Sequence, residues 1–435
     1  MSSPLVAARP GASQIKPASD PAATRVADGV WVSNGLSNSY MVTTGDGRVI
    51  LNCGMGFEAP VHKANFDAVD DSPVRYIVFT QGHVDHVGGA DYLATDSTEM
   101  IAQSNNAACQ ADDARIHAFR VRRSLPYWAE AIAAAHDYIV NRTPGSEIPA
   151  QSQPTPTITF DDSFTFECGA VSFELYSTPG GETIDSLVAW LPETRVALVG
   201  NLFSALFGHV PNFSTVRGDR YRFVPDFIDS LERVRSLEPE VLLTGHFGPI
   251  RGKDTIDTEL VRIRDGVAFI HDATVDGMNS GTDQQTLMRE IRLPEHLSLG
   301  EGYGCVPWAI KAIWEGYAGW FQGEATTDLF NSPVADVYTD IVDLAGSPDA
   351  VLERAALRLT DGDPLACQQL CEILLGADPA HRGALDLSLQ AHKALAATET
   401  GNFWKAGWLQ TRIRELQETL TDTAKNRDDK DPRQR

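Results

Sequence analysis

The chain has 435 residues, 43% of them hydrophobic, enough to bury the cores of two or three domains. It carries 36 basic against 59 acidic residues, a net charge of −23, which argues against a nucleic-acid partner and against an anionic membrane surface. A small anionic substrate stays open, because one arginine or one metal ion can dominate a single pocket.

The first segment, residues 1–24, is rich in Pro, Ala and Ser and is expected to form a flexible arm. It has no basic start followed by an apolar run, and no apolar stretch is long enough to cross a bilayer, so a soluble cytoplasmic protein is expected. The six cysteines, Cys53, Cys109, Cys168, Cys305, Cys367 and Cys371, lack C-x-x-C spacing. Reduced thiols are expected, with Cys367 and Cys371 on one helix face.

Short strands are expected at Gly29–Val32, Ser39–Val42 and Arg48–Leu51, joined by turn clusters into a meander. The third runs into Asn52-Cys53-Gly54. A surface helix over residues 57–70 then leads to the apolar strand Tyr76–Phe79. That strand delivers Thr80-Gln81-Gly82-His83-Val84-Asp85-His86-Val87-Gly88-Gly89. Two imidazoles and a carboxylate fall within four positions, and these are the donors a zinc-like dication binds best. On so tight a loop the three cannot all face one way, so they can serve two adjacent metal positions.

Residues 104–142 are predicted to be mainly helical, with Trp128, Ile132 and His136 on one face. His117 and His136 are read as packing or surface residues. Pro144–Pro156 is predicted as a loop. Strands follow at Ile158–Phe160, Phe164–Glu167 and Val171–Ser177, and then the turn Thr178-Pro179-Gly180-Gly181-Glu182-Thr183. The strand Val196–Val199 ends in Gly200-Asn201. After Asn212-Phe213-Ser214-Thr215-Val216-Arg217-Gly218 come a helix over Val224–Leu237 and a buried strand over Glu240–Thr244, which ends at Gly245-His246. Arg217 could pair with Asp219 on the surface or hold an anion with its planar donor fork. The remainder reads as helical: Thr255–Asp276, Val306–Gly319, and helix pairs over residues 348–420. Residues 421–435 are expected to be a disordered charged tail.

The metal loop resembles that of the metallo-β-lactamase superfamily, H-x-H-x-D-H, with Gln81 standing at the first His position. Pro211–Gly218 is similar to the alkylsulfatase segment H-N-L-Y-T-L-R-G, and Gly319-Trp320-Phe321-Gln322-Gly323 to the G-W-F-D-G that leads into that branch's helical dimerisation domain. The resemblance implies an α/β fold, an αββα sandwich over residues 25–300, followed by an all-helical domain over 301–420. Branch members usually add a sterol-carrier-like domain; this chain is expected to lack one, which weakens a long alkyl chain as the substrate.

The same resemblance implies roles for individual residues. One metal position would draw on Gln81, His83 and Glu182, the other on Asp85, His86 and His246. Asn201 stands where an acid commonly bridges the two ions. It is either a weak ligand or a turn residue, and without that negative charge the second position should fill first, leaving the first weak or empty. Asn52 stands where an Asp is usual. Asn212 and Arg217 would face the sulfate or another polar group.

Zinc is the expected metal, as one tightly bound ion with a second possible, and iron or manganese stays open. A metal-bound hydroxide, with Asp85 orienting it or taking its proton, would hydrolyse a small sulfate ester or another activated ester or ether. The alternatives are a catalytically altered binding or partner subunit, and an iron site for redox chemistry. A homodimer or hetero-oligomer is implied by the family likeness alone.

Overall fold

The computed structural model of the protein describes residues 4–141, 148–321, 323, 325–399 and 401–428. It divides into two units, Met1–Tyr317 and Ala318–Arg435.

In the first unit, β1 (Thr24–Ala27), β2 (Val30–Ser33), β3 (Ser39–Thr43), β4 (Arg48–Leu51), β5 (Val74–Val78), β6 (Glu99–Gln103) and β7 (Ile158–Phe160) form one sheet in that order. The predicted three-strand meander is present as β2–β4, with β1 added antiparallel at its edge, and the rest are parallel to β4. The second sheet holds β8 (Ser163–Cys168), β9 (Val171–Ser177), β10 (Leu187–Leu191), β11 (Val196–Gly200), β12 (Val241–Thr244) and β13 (Ile250–Arg251).

Period-two alternation sorts the side chains between layers. Val49 and Leu51 of β4, Leu187, Ala189 and Leu191 of β10, and Val196 and Leu198 of β11 pack between the sheets. The intervening Ile50 faces outward with Phe66 of the helix Ala59–Asp67. On the other side, Val188, Trp190, Ala197 and Val199 pack with Phe227 and Leu260 of the helices Val224–Ser236 and Lys253–Asn279. Strands that are apolar on both faces can only be interior, and the result is the expected αββα sandwich.

The boundary expected at residue 300 lies instead at 317. The helix Val306–Ala318 buries Val306, Ala309, Ile310, Ala312 and Ile313 in the same core as Phe227, so it belongs to the sandwich.

The arm reading also needs correction. Val6, Ala12, Ile15 and Ala18 are buried, and the Ala18 N–H donates to Glu58 Oε1 at 2.8 Å. The few apolar residues scattered among Pro and Ser find apolar surface on the sandwich, which outweighs the segment's polar composition.

The second unit is helical, with Tyr338–Leu344, Pro348–Thr360, Pro364–Ala377, Arg382–Thr398 and Phe403–Asp428 in succession. Ser347, Asp363 and His381 cap the middle three by accepting from the N–H three residues on. Cys367 and Cys371 lie on one buried face with Ala355, Leu387 and Ala391, as their spacing predicts. The tail expected to be disordered from residue 421 continues the last helix to Asp428. Residues 429–435, residue 142 of the predicted helical stretch, residues 144–147 of the predicted Pro144–Pro156 loop, and Gln322 lie outside the described residues. Among the described residues, no helix is long and apolar enough to cross a membrane.

Candidate metal centre

The site lies where β4, β5, β11 and β12 end, the edge at which α/β sheets gather ligands. Asn52 leaves β4 with φ +60, a left-handed conformation that Asn tolerates. Its carboxamide accepts from the Thr80 N–H at 2.9 Å and donates to Thr80 Oγ1 at 2.9 Å. This fixes the exit of the strand before the metal loop. His83 precedes the short helix Val84–Val87, and the Cys53 N–H ties to His86 O at 2.7 Å. Gly89 is needed because a Cβ there would lie 2.4 Å from Cys53 O.

The fold places six of the expected residues in two contacting groups. In the first, Gln81 Nε2 is 2.9 Å from His83 Nδ1, which is 3.6 Å from Glu182 Oε2. In the second, His86 Nε2 is 3.7 Å from Asp85 Oδ2 and 3.1 Å from Ser37 Oγ. Asn201 stands between them, its Nδ2 at 3.1 Å from Glu182 Oε2 and 3.2 Å from His86 Nε2.

His246 is buried on the turn after β12. Its turn is held from the β2–β3 loop: the Asn38 N–H donates to Gly245 O at 2.7 Å, and Asn38 Nδ2 to Phe247 O at 2.8 Å. Neither Ser37 nor Asn38 was singled out in the sequence, where nothing distinguishes them from ordinary turn residues.

Burial lowers the His86 pKa to about 4, against the pull of Asp85. Burial also lowers that of His246, despite the nearby Asp85 and Glu182. Both rings are therefore neutral at pH 7, the form that ligates a metal. Burial pushes the Asp85 carboxyl up, but the neighbouring His86, His83 and His246 outweigh it and hold its pKa below the ordinary value. His83 differs. Burial acts to lower its pKa, and the Asp219 and Glu182 carboxylates reverse that and raise it.

Among the described residues, no three His, Cys, Asp or Glu side chains stand close enough together to hold an ion as they lie. The chemistry of the two groups nevertheless separates them. Asp85, His86 and His246 are one carboxylate and two neutral imidazoles, and His86 Nδ1 and His246 Nδ1 are buried without hydrogen-bond partners. That set fits a divalent cation. The first group fits poorly. Gln81 supplies only a neutral amide, the Asp219 and Glu182 carboxylates draw the His83 ring toward its protonated form, and Asn201 brings no negative charge to the bridging place.

Beside the first group lies the segment singled out for polar recognition. Asn212 is buried, and its Oδ1 has no partner among the described residues. Arg217 Nη2 lies 3.8 Å from Asp219 Oδ2, so the pairing reading of Arg217 is present. The same carboxylate lies 3.5 Å from His83 Nε2, which keeps Arg217 next to the site. His136 lies on the surface, its side chain 73% exposed.

A family profile described as Metallo-beta-lactamase superfamily matches residues 32–246, and one described as Alkyl sulfatase dimerisation matches residues 284–418. The chain is 26% identical over 390 residues to a linear primary-alkylsulfatase of Pseudomonas sp. (strain ATCC 19151), covering 86% of this chain and 73% of the relative. It is 24% identical to an (R)-specific secondary-alkylsulfatase of Pseudomonas sp., covering 77% of this chain and 52% of that one. The solved structure of the stereoselective inverting sec-alkylsulfatase Pisa1 from Pseudomonas sp. superposes with a TM-score of 0.78 at 20% identity, over 92% of this chain and 66% of the other. The chain thus spans from about half to about three quarters of the length of these relatives. The two matched regions follow one another in the order the fold shows, and the chain belongs to the metallo-beta-lactamase superfamily, with an alkyl sulfatase dimerisation region after the sandwich.

Proposed function

We propose that this protein is a metal-dependent hydrolase of a sulfate ester or another activated ester or ether. The observation that supports the reading is that Asp85, His86 and His246 lie at the same sheet edge within electrostatic reach of one another, the two imidazoles buried and held neutral. These three would hold the ion, and the alkylsulfatase relatives support the reaction class.

A zinc ion, or iron or manganese in its place, supplies a Lewis acid that makes water nucleophilic near neutral pH. The chain's own residues do the rest. Asp85, kept ionised, accepts the proton of the attacking water. Arg217 donates to the polar head of the substrate, and the unpartnered Asn212 Oδ1 accepts from a donor on it. A homodimer through the second unit follows from the matched dimerisation region, and six free thiols suit a cytoplasmic setting.

The hydrogen bonds from Asn201 to both groups of donors favour one alternative, a binding subunit that has lost turnover. A panel of chromogenic aryl sulfates, esters and ethers separates the two. The hydrolase reading expects turnover that His86→Ala abolishes, and no turnover across the panel would favour the binding subunit.

A further inference from the structure

Asp219 has no part in the reaction described above, yet it sits at its edge. Its two carboxylate oxygens have different surroundings. Oδ1 accepts from Arg120 Nη2 at 2.6 Å and from the Arg220 N–H at 2.8 Å. Oδ2 is buried and has no hydrogen-bond partner among the described residues. It faces three cationic or potentially cationic groups at slightly more than bonding distance: His83 Nε2 at 3.5 Å, Arg222 Nη2 at 3.6 Å and Arg217 Nη2 at 3.8 Å.

Three guanidinium groups clustered beside His83 and Asn212 would ordinarily make an oxyanion site. Here the cluster is already balanced. Arg120 pairs with Asp113 as well as with Asp219, and Glu182 lies across His83. The formal charges of Arg120, Arg217 and Arg222 are matched by those of Asp113, Asp219 and Glu182. An anionic head that approaches Arg217 and Arg222 meets Asp219 Oδ2, which is within ion-pair distance of both. A like charge at that range opposes binding, whereas a neutral head that carries a hydrogen-bond donor supplies what Oδ2 lacks.

We propose that Asp219 is a counter-anion built into this arginine cluster, a specificity-determining residue that weakens the hold on anionic heads and favours uncharged ones. The consequence for substrate choice rests on the hydrolase reading. The binding property does not.

The test is calorimetric titration of the full-length protein with inorganic sulfate at low ionic strength, comparing wild type with Asp219→Asn, Asp219→Glu and the double variant Asp219→Asn/Arg217→Gln. Asparagine keeps an acceptor for Arg120 and for the Arg220 N–H. Sulfate affinity should rise roughly tenfold or more in Asp219→Asn, because a like charge at contact range is removed. Asp219→Glu should show no gain, and the double variant should lose it. Unchanged or weaker sulfate binding by a folded Asp219→Asn protein would overturn the proposal and leave Asp219 as a group that only orients His83.

Should the variant not fold, competition on wild type decides. An arylsulfonamide should bind at least as tightly as the isosteric arylsulfonate, and tighter sulfonate binding overturns the idea. A sulfate gain without turnover would sink the hydrolase reading alone. Turnover without a gain would sink this one alone.

Discussion

The Asn201 carboxamide nitrogen donates to Glu182 Oε2 at 3.1 Å. The same nitrogen lies 3.2 Å from His86 Nε2, so one neutral side chain spans both groups of donors at the place where the family resemblance puts a bridging acid. The contact gives Glu182 a partner within the protein, and it withholds the negative charge that lets two dications sit about 3.5–4 Å apart.

Metal content follows from that contact. Protein purified without added metal is expected to hold a single tight divalent ion per chain, measured by elemental mass spectrometry, and His86→Ala or His246→Ala should remove it. Asn201→Glu should admit a second. Two tightly held ions in the wild type would show that Asn201 is no obstacle.

Gly245 tests the same contact from the other side. A Cβ there would lie 2.0 Å from Asn201 Oδ1 and 3.2 Å from His86 Cε1. In Gly245→Ala the Asn201 side chain must swing away, and His86 loses one of the two groups that orient it. Metal affinity should fall roughly 10- to 100-fold, the usual cost of removing a group that orients a ligand. Asn201→Ala should show a fall of similar size. A Gly245→Ala protein with wild-type metal affinity and turnover would mean that the bridge does not orient the site.

Glu58 makes stability depend on pH. It is fully buried and accepts from the backbone N–H groups of Ala18, Leu36 and Met55. Burial pushes its carboxyl up to about 7 against the pull of those donors. A folded pKa above the ordinary value means that the contribution is complete below about pH 4.5 and is lost as the pH rises through about 7. Glu58→Gln does not titrate there. The stability difference between wild type and Glu58→Gln, read from urea unfolding of the first unit, should therefore shift against wild type by about 3 kcal/mol across that window. A pH-independent difference would refute the assignment. Leu36 adjoins Ser37, which touches His86, so the same carboxyl also steadies one wall of the metal centre.

The chain itself determined the elements, the order of the layers and most of the metal-loop chemistry. Val49-Ile50-Leu51 and Val196-Ala197-Leu198-Val199 are apolar at every position, which forces two-sided burial, and Gln81–Gly89 displays its donors within a few positions. Such signals are local, because strand alternation and loop spacing are set by neighbours along the chain. The tertiary structure decided what local rules do not reach. It folded Val6 to Ala18 onto the sandwich, carried the first unit on to Tyr317, pinned the His246 turn through Asn38, and set Asp219 between Arg217 and Arg222. Each of these depends on charge or apolar surface supplied by residues far away in sequence. The energy of a buried polar group is fixed by whichever partners the fold brings to it, so a segment's own composition gives no notice of it.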